Sequence, residues 1–350
     1  MTHKLILQDG SEIEGKSFGA GKSVSGEVVF ATGMVGYPEA LTDPSFCGQI
    51  LVLTFPLVGN YGVPKKEKWE SSKIQVKGLM VCNYIDTPSH HESEKTLGEW
   101  LKEEGIPALE IKDTRELTKK LRTKGVMLGK ILCGENEIPF EDPNIENLVA
   151  KVSTKNIMQI GDGKKTIVVI DCGVKLNIVR RLSALGLKVI VVPWDTDVTK
   201  LPIPYSAVVI SNGPGDPKKV AKTIENVKKL IAQKIPILGI CLGNQILALA
   251  CGGTTYKLKF GHRSQNQPAI ESGTNRCYLT TQNHGFAVKK IPRGFREWFS
   301  NANDNTNEGI IHETEPLMSV QFHPESSPGP LDTDWIFDFF LKRARINTKK

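Results

Sequence analysis

Apolar and polar positions in the second half of the chain follow two alternating patterns. Short apolar runs have the length of buried strands and lie at 166–170, 187–192, 207–210, 236–240 and 317–322. Segments with apolar residues at helical spacing lie at 176–185, 220–232, 242–249 and, near the end of the chain, 334–345. Strands that alternate with helices predict an α/β domain with a doubly wound, mostly parallel sheet, which we place at 165–345. From Thr254 onward we expect shorter strands.

The first half of the chain has a different pattern, with many strands and few helices. Residues 4–8 and 13–18 flank Asp9–Gly10 and predict a β-hairpin, and further strands are expected at 27–32, 49–54 and 129–132. Helices are predicted at 95–104 and from a capping box at Asp113 through residue 121. Turn residues over 32–45 predict an ordered loop. We therefore expect a separate, mixed, strand-rich N-terminal domain at 1–155, joined to the second domain through the polar stretch 160–165.

Cys241 follows the apolar run 236–240 directly and precedes a helical pattern, so it lies at a predicted strand-to-helix turn. Small residues are needed on both sides of so sharp a turn, and Gly239 and Gly243 occupy those positions. The unpaired N–H groups and positive dipole at a helix N-terminus favour a thiolate and provide donors for an oxyanion. Cys251, in the same helix, is interpreted as packing. The sequence therefore predicts that Cys241 is a nucleophile.

A base for this nucleophile is predicted at His323. Pro324 ends the strand 317–322 and leaves the imidazole at its carboxyl end, the edge at which open α/β sheets carry their chemistry. Glu325 is close enough in sequence to hold the tautomer of the imidazole, which is the role of a third triad member. We therefore predict a catalytic set of Cys241, His323 and Glu325.

Composition narrows the class of protein. A length of 350 residues suits two domains, each with its own core. No apolar run approaches membrane-spanning length, and the N-terminal residues lack signal-peptide character. Seven cysteines without a Cys-x-x-Cys pair argue for a reducing compartment, most simply the cytosol, and against a disulfide framework or a metal site. The net charge of +7 is densest at 218–234, where an apolar stripe indicates a solvated helix face rather than a nucleic-acid surface.

The motifs Gly-Ile-Cys-Leu-Gly-Asn-Gln at 239–245 and Gln-Phe-His-Pro-Glu at 321–325 resemble the class I, triad-type glutamine amidotransferases. The resemblance implies hydrolysis of glutamine and delivery of ammonia to a synthetase. In this family the turn at 211–217 is the oxyanion strand, and its Gly213 and Gly215 contact glutamine through backbone atoms. The residues that the resemblance places in the glutamine pocket are Leu242, Gln245, Asn283, Gly285 and Phe286. Ser264 departs from the family's usual glycine and would be strained if φ is positive there.

The first half resembles the N-terminal domain of the carbamoyl-phosphate synthetase small subunit, through the segments 26–30, 36–45, 59–62 and 113–118. In that family this domain packs against the large synthetase subunit and contributes a serine to the glutamine site, which matches Ser45 here. The partner implied is that large subunit or a fused synthetase domain, which uses ATP, Mg²⁺ and bicarbonate; no cofactor is expected in this chain. Pyrimidine and arginine biosynthesis both fit. The alternatives are a catalytically silent, partner-binding regulatory module and a hydrolase without a synthetase partner.

Overall fold

A computed structural model describes residues 3–134 and 136–348. The chain divides into two compact units, residues 1–146 and 147–350. The polar stretch 160–165, which the sequence analysis placed between the domains, therefore belongs to the second unit.

The first unit is built on a closed barrel. Its strands are β1 His3–Leu7, β2 Glu12–Ser17, β3 Val24–Ala31, β4 Gln49–Leu53, β5 Leu57–Val58, β6 Gly78–Val81, β7 Asn83–Tyr84, β8 Ala108–Ile111 and β9 Met127–Cys133. Its helices are α1 Tyr37–Thr42, α2 Leu97–Glu103 and α3 Thr114–Lys124. The barrel has the order β1-β2-β8-β6-β4-β3-β9 and is closed by antiparallel pairing of β1 with β9, while β5 pairs with β7.

Most local signals in the first unit act as predicted. The hairpin β1–β2 forms with Leu5 opposite Ile13. At the predicted capping box only one half forms, since the Asp113 side chain accepts from the backbone N–H of Glu116; the reciprocal box is made by Thr96 and Glu99 at the start of α2, where none was predicted. The prediction of a loop over 32–45 was incomplete because Pro38 enters the first turn of α1, where a proline is compatible with a helix.

The second unit contains one ten-stranded sheet. Its strands are β10 Met158–Ile160, β11 Thr166–Asp171, β12 Lys188–Pro193, β13 Ala207–Ile210, β14 Ile237–Ile240, β15 Thr254–Glu271, β16 Cys277–Lys290, β17 Phe295–Asn301, β18 Asn307–His312 and β19 Leu317–Val320. Its helices are α4 Val149–Val152, α5 Leu176–Ala184, α6 Ala221–Ala232, α7 Leu242–Ala250 and α8 Trp335–Arg343. The strand order is β10-β12-β11-β13-β14-β19-β18-β17-β15-β16.

The five central strands, β12-β11-β13-β14-β19, are parallel. Alternate residues of these strands belong to two separate apolar clusters, one with α5 and α8 and the other with α6 and α7. A parallel sheet buried on both faces by helices is the predicted doubly wound α/β fold. This arrangement brings the carboxyl ends of β14 and β19 together at one edge of the sheet.

The expectation of shorter strands after Thr254 was wrong. β15 and β16 are 18 and 14 residues long and pair antiparallel, with register shifts that interrupt their alternation of apolar and polar residues. Segments 259–268 and 282–286, which carry several polar and glycine residues, lie within these strands. Ser264 pairs with Gln282 and is absent from the residues with positive φ, so the strain expected there does not arise. Within the described residues, no helix is long and apolar enough to cross a membrane.

Candidate active site

Cys241 lies at the predicted turn between β14 and α7, in a strained backbone conformation. Its φ of 55° and ψ of −102° fall in a region that non-glycine residues rarely occupy, and such strain concentrates at functional sites. A Cβ on Gly239 would lie 2.4 Å from the Gly243 carbonyl oxygen, and one on Gly243 would lie 2.2 Å from that of Ile210. The two flanking glycines are therefore required for backbone clearance, as the sequence predicted.

His323 is brought to Cys241 by the pairing of β14 with β19. Ile240 lies opposite Val320, and the backbone N–H of Cys241 donates to the Val320 carbonyl oxygen at 2.8 Å. Three residues later, the backbone N–H of His323 donates to the carbonyl oxygen of Thr281 at 2.9 Å. Cys241 Sγ lies 3.6 Å from the carbonyl oxygen of Asn283, two residues along that strand. The cysteine and the histidine thus follow adjacent parallel strands at the same sheet edge.

The pKa of His323 is set by burial and by its charged neighbours. The imidazole is 1% exposed, and burial by itself would lower its pKa. The Glu325 carboxylate and then Cys241 outweigh this effect and raise the pKa of His323 to about 10. Glu325 Oε1 lies 2.7 Å from Nδ1, so a carboxylate accepts the Nδ1–H and leaves Nε2 for the thiol.

Lys175 is a member of the site that the sequence analysis missed. Its Nζ lies 3.1 Å from Glu325 Oε1 and donates to the Ser326 carbonyl oxygen at 2.5 Å, and its side chain is 2% exposed. Although burial opposes ionisation of Glu325, the charges of Lys175 and His323 lower the pKa of that carboxyl to about 2. The available signal was the position of Lys175 just after the buried strand β11, at the catalytic edge of the sheet.

The turn at 211–217 lies beside the head of α7. A Cβ on Gly213 would meet the Cys172 carbonyl oxygen at 2.0 Å and a methyl group of Leu242 at 2.9 Å, so this loop and the buried Leu242 are in close contact. Gly215 has a φ of +82°, which favours glycine. Among the described residues, the amides of Gly213 and Leu242 donate no backbone hydrogen bond, whereas that of Cys241 is occupied by Val320.

The residues assigned to a glutamine pocket lie on α7 and β16, next to the nucleophile. Gln245 Nε2 donates to the Phe286 carbonyl oxygen at 2.8 Å and to Gln321 Oε1 at 3.0 Å. Gln245 Oε1 is buried without a partner, so an acceptor remains for a substrate N–H group. Asn283 is buried, while Gly285 and Phe286 are half-buried.

Comparison with known proteins agrees with this geometry. The family described as "Glutamine amidotransferase class-I" matches residues 168–343, and "Carbamoyl-phosphate synthase small chain, CPSase domain" matches residues 5–131. The carbamoyl phosphate synthase small chain of Methanopyrus kandleri is 47% identical, with 99% of each chain covered. This chain belongs to the carbamoyl-phosphate synthase small-chain family.

Two further relatives of this small-chain family are much longer. The multifunctional protein CAD of Squalus acanthias is 52% identical over 97% of this chain and 16% of its own length. The human mitochondrial carbamoyl-phosphate synthase [ammonia] is 44% identical over 99% of this chain and 24% of its own length. The chain therefore spans about a sixth to a quarter of these two relatives.

Ser45 belongs to the first unit of this small-chain family member. It is 7% exposed, and its backbone N–H donates to Asp43 Oδ1 at 2.9 Å, at the start of a short 3-10 helix. Its assignment to the glutamine site, like those of the pocket residues on α7 and β16, stays a prediction.

Proposed function

We propose that this chain is the glutaminase component of a glutamine-dependent carbamoyl-phosphate synthase. It hydrolyses L-glutamine to glutamate and ammonia and delivers the ammonia to a synthetase subunit or domain. The observation that carries this proposal is the buried set Cys241–His323–Glu325 at the carboxyl ends of two adjacent parallel strands. Its strained cysteine turn, carboxylate-bound imidazole and neighbouring backbone amides suit acyl transfer from a carboxamide.

The first half-reaction forms a thioester. The Cys241 thiolate attacks the side-chain amide carbon of glutamine, and the carbonyl oxygen becomes an oxyanion. The free amides of Leu242 and Gly213 are the proposed donors to that oxyanion. His323 gives its Nε2 proton to the amide nitrogen, the C–N bond breaks, and ammonia leaves.

The second half-reaction releases glutamate. Neutral His323 accepts a proton from water, and the resulting hydroxide attacks the thioester carbon. Collapse of the tetrahedral intermediate breaks the C–S bond and restores the thiolate and the imidazolium. Glu325 remains ionised throughout, because its pKa is held at about 2 by Lys175 and His323 against the effect of burial. It keeps the Nδ1–H of His323 fixed so that Nε2 carries out both proton transfers.

The pocket holds the α-amino and α-carboxylate groups of glutamine with neutral groups. Gln245 Oε1 is the proposed acceptor for the α-ammonium group, since it is buried and unpartnered. Asn283, Gly285 and Phe286 form the opposite wall on β16, with Gly215 and Leu242 as the remaining contacts. Buried polar groups that pair only with the correct substrate give strong discrimination against analogues.

A partner synthetase completes the reaction. It combines ammonia with bicarbonate and two molecules of ATP, with Mg²⁺, to make carbamoyl phosphate for pyrimidine or arginine biosynthesis. The first unit is the proposed contact with the partner, which is a separate large subunit or a continuation of the polypeptide. Relatives with each arrangement match this chain: a separate small chain and multifunctional proteins that are much longer. A cytosolic location is also proposed, although three relatives are named as mitochondrial.

The decisive experiment compares the wild-type chain with Cys241→Ser in a glutaminase assay. We expect glutamate release to fall at least about 10³-fold, because the residual rate without a triad nucleophile comes from binding and oxyanion stabilisation alone. The matched control is Cys251→Ser, at the end of α7, which should retain activity. Equal activity of wild type and Cys241→Ser would refute the mechanism.

The silent regulatory module remains the competing hypothesis, since relatives named carbamoyl-phosphate synthase [ammonia] align with nearly the whole chain. It predicts synthetase binding with no glutaminase activity in the wild type. A hydrolase without a partner predicts glutaminase activity that a large synthetase chain, ATP and bicarbonate leave unchanged.

A further inference from the structure

A second cluster of ionisable side chains lies in the antiparallel half of the sheet and has no part in the proposed reaction. His262 on β15 is directly opposite His284 on β16, and Glu308 comes from β18. All three side chains are buried, and one potential ligand atom from each lies within 4.8 Å of the other two. Gln282, two residues before His284, places its side-chain oxygen between the histidines.

The spacing of these atoms matches a small coordination sphere. Gln282 Oε1 lies 3.1 Å from His262 Nδ1 and 3.1 Å from His284 Nε2. His262 Nδ1 lies 3.4 Å from Glu308 Oε1. Ligands about 2.0–2.1 Å from a tetrahedral Zn²⁺ are separated from each other by about 3.3 Å. Three of the six separations among these four donor atoms therefore match a tetrahedral site, and the atoms of His262, His284 and Glu308 all lie within 4.8 Å of one another.

The outer nitrogen of each histidine is held by an acceptor. His262 Nε2 lies 2.9 Å from Asp304 Oδ2, and His284 Nδ1 lies 2.8 Å from the Phe286 carbonyl oxygen. Both acceptors require an N–H, which directs the other ring nitrogen, with its lone pair, toward the cluster. Histidines that bind metals are oriented in this way by carboxylates and backbone carbonyl groups.

Two acceptor atoms face each other in the cluster. With its Nδ1–H donated to Phe286, neutral His284 presents an Nε2 lone pair to the Gln282 oxygen, which is also an acceptor. Turning the Gln282 amide would remove the donor that Thr280 Oγ1 accepts at 3.1 Å. A cation satisfies all of these lone pairs together.

Glu308 provides an independent indication of a ligand. It is 0% exposed, and although Oε1 accepts from Asn301 Nδ2 at 3.0 Å, Oε2 has no hydrogen-bond partner. A divalent cation at this position would satisfy the unpartnered Oε2 oxygen of Glu308.

We propose that His262, His284, Glu308 and the amide oxygen of Gln282 bind a divalent transition-metal ion of the Zn²⁺ class. The ligand set of two imidazoles, one carboxylate and one amide suits Zn²⁺ rather than Mg²⁺ or Ca²⁺, which prefer oxygen ligands alone. The site is separate from the triad and replaces the expectation of no metal in this chain. Through His284 it also holds the Phe286 carbonyl oxygen, to which Gln245 donates.

The test is a titration of the full chain with ZnCl₂ after removal of metals by a chelator. All proteins carry Cys241→Ser, so that the catalytic thiol does not bind the ion. We expect one tight equivalent, with affinity reduced at least about 100-fold by Glu308→Gln and about 10-fold by Asp304→Asn, which removes only an outer contact. The control is the double variant His90→Asn/His91→Asn, which removes the exposed trio of His90, His91 and Glu92 and should leave the tight equivalent unchanged.

Co²⁺ in place of Zn²⁺ gives a readout that does not depend on the folding of any ligand variant. A tetrahedral site of nitrogen and oxygen ligands gives strong visible bands without sulfur-to-cobalt charge transfer. Weak octahedral bands, or bands that include sulfur charge transfer, would overturn the assignment. So would the absence of a stoichiometric equivalent, its loss in the His90/His91 variant, or its survival unchanged in Glu308→Gln.

Discussion

Glu325→Gln is the change that tests the electrostatics of the candidate active site most directly. A rise in the pKa of His323 from 6.5 to about 10 corresponds to about 5 kcal/mol, at 1.36 kcal/mol for each pKa unit. Burial opposes this rise, so the neighbouring negative groups must supply more than that amount, and Glu325 contributes most. Without its charge, burial and Lys175 both act to lower the pKa of His323. Cys241 still acts to raise it, so we expect a value well below 10 in the variant.

The loss of this charge should affect activity and stability in different ways. Neutral His323 at pH 7.5 no longer supplies the proton to the leaving ammonia, so kcat should fall about 10²- to 10⁴-fold. The variant also leaves Lys175 buried without its carboxylate, which should cost about 3–5 kcal/mol of unfolding free energy. Lys175→Met combined with Glu325→Gln removes both charges. We expect the double variant to recover most of the stability and none of the activity.

Three measurements check this reasoning. NMR titration of the His323 ring gives its pKa, glutaminase assays from pH 6 to 10 give the profile of kcat, and urea unfolding gives the free energies for a double-mutant cycle. Lys175→Met alone is the matched control, because loss of the cation should raise the pKa of His323 further. If His323 in Glu325→Gln still titrates near 10, Glu325 is not the source of the shift and the account of the site is wrong.

Three other predictions concern packing, binding and pH. Gly243→Ala places a Cβ 2.2 Å from the carbonyl oxygen of Ile210 and should lower the free energy of unfolding in urea by at least about 1–3 kcal/mol. Gly21→Ala, which has open space around its Cβ, should change that free energy by no more than about 0.5 kcal/mol. Equal losses in the two variants would contradict the clearance argument. Gln245→Leu should raise the KM for glutamine about 10- to 100-fold with a smaller change in kcat, and an unchanged KM would remove this residue from the pocket. Because the pKa of His323 is raised in the folded state, its ionisation should stabilise the protein fully below pH 6.5, and this stabilisation should be lost as the pH rises to about 10. In Glu325→Gln, the free energy of unfolding should not show this decrease with pH.

Rules that depend on near neighbours along the chain succeeded for this protein. The hairpin β1–β2 and the strand-to-helix turn at Cys241 each need only a few adjacent residues, so their signals are local. The catalytic edge was also predictable, because parallel strands end together and Pro324 stops the strand before His323. The long strands β15 and β16 were missed because their bulges break the period-2 pattern, and tertiary pairing overrides that interruption.

The sequence alone therefore predicted most of the elements and the placement of Cys241 and His323 at one edge of the sheet. Only the tertiary structure decided which charges surround them. Lys175 meets Glu325 across 150 residues of chain, and Glu308 meets His262 across 46, through strand pairings that no local pattern encodes. Sequence analysis predicts that a lysine or glutamate is exposed to solvent, because burying an isolated charge is costly. Such a residue can be buried only where folding brings an oppositely charged partner within a few ångströms.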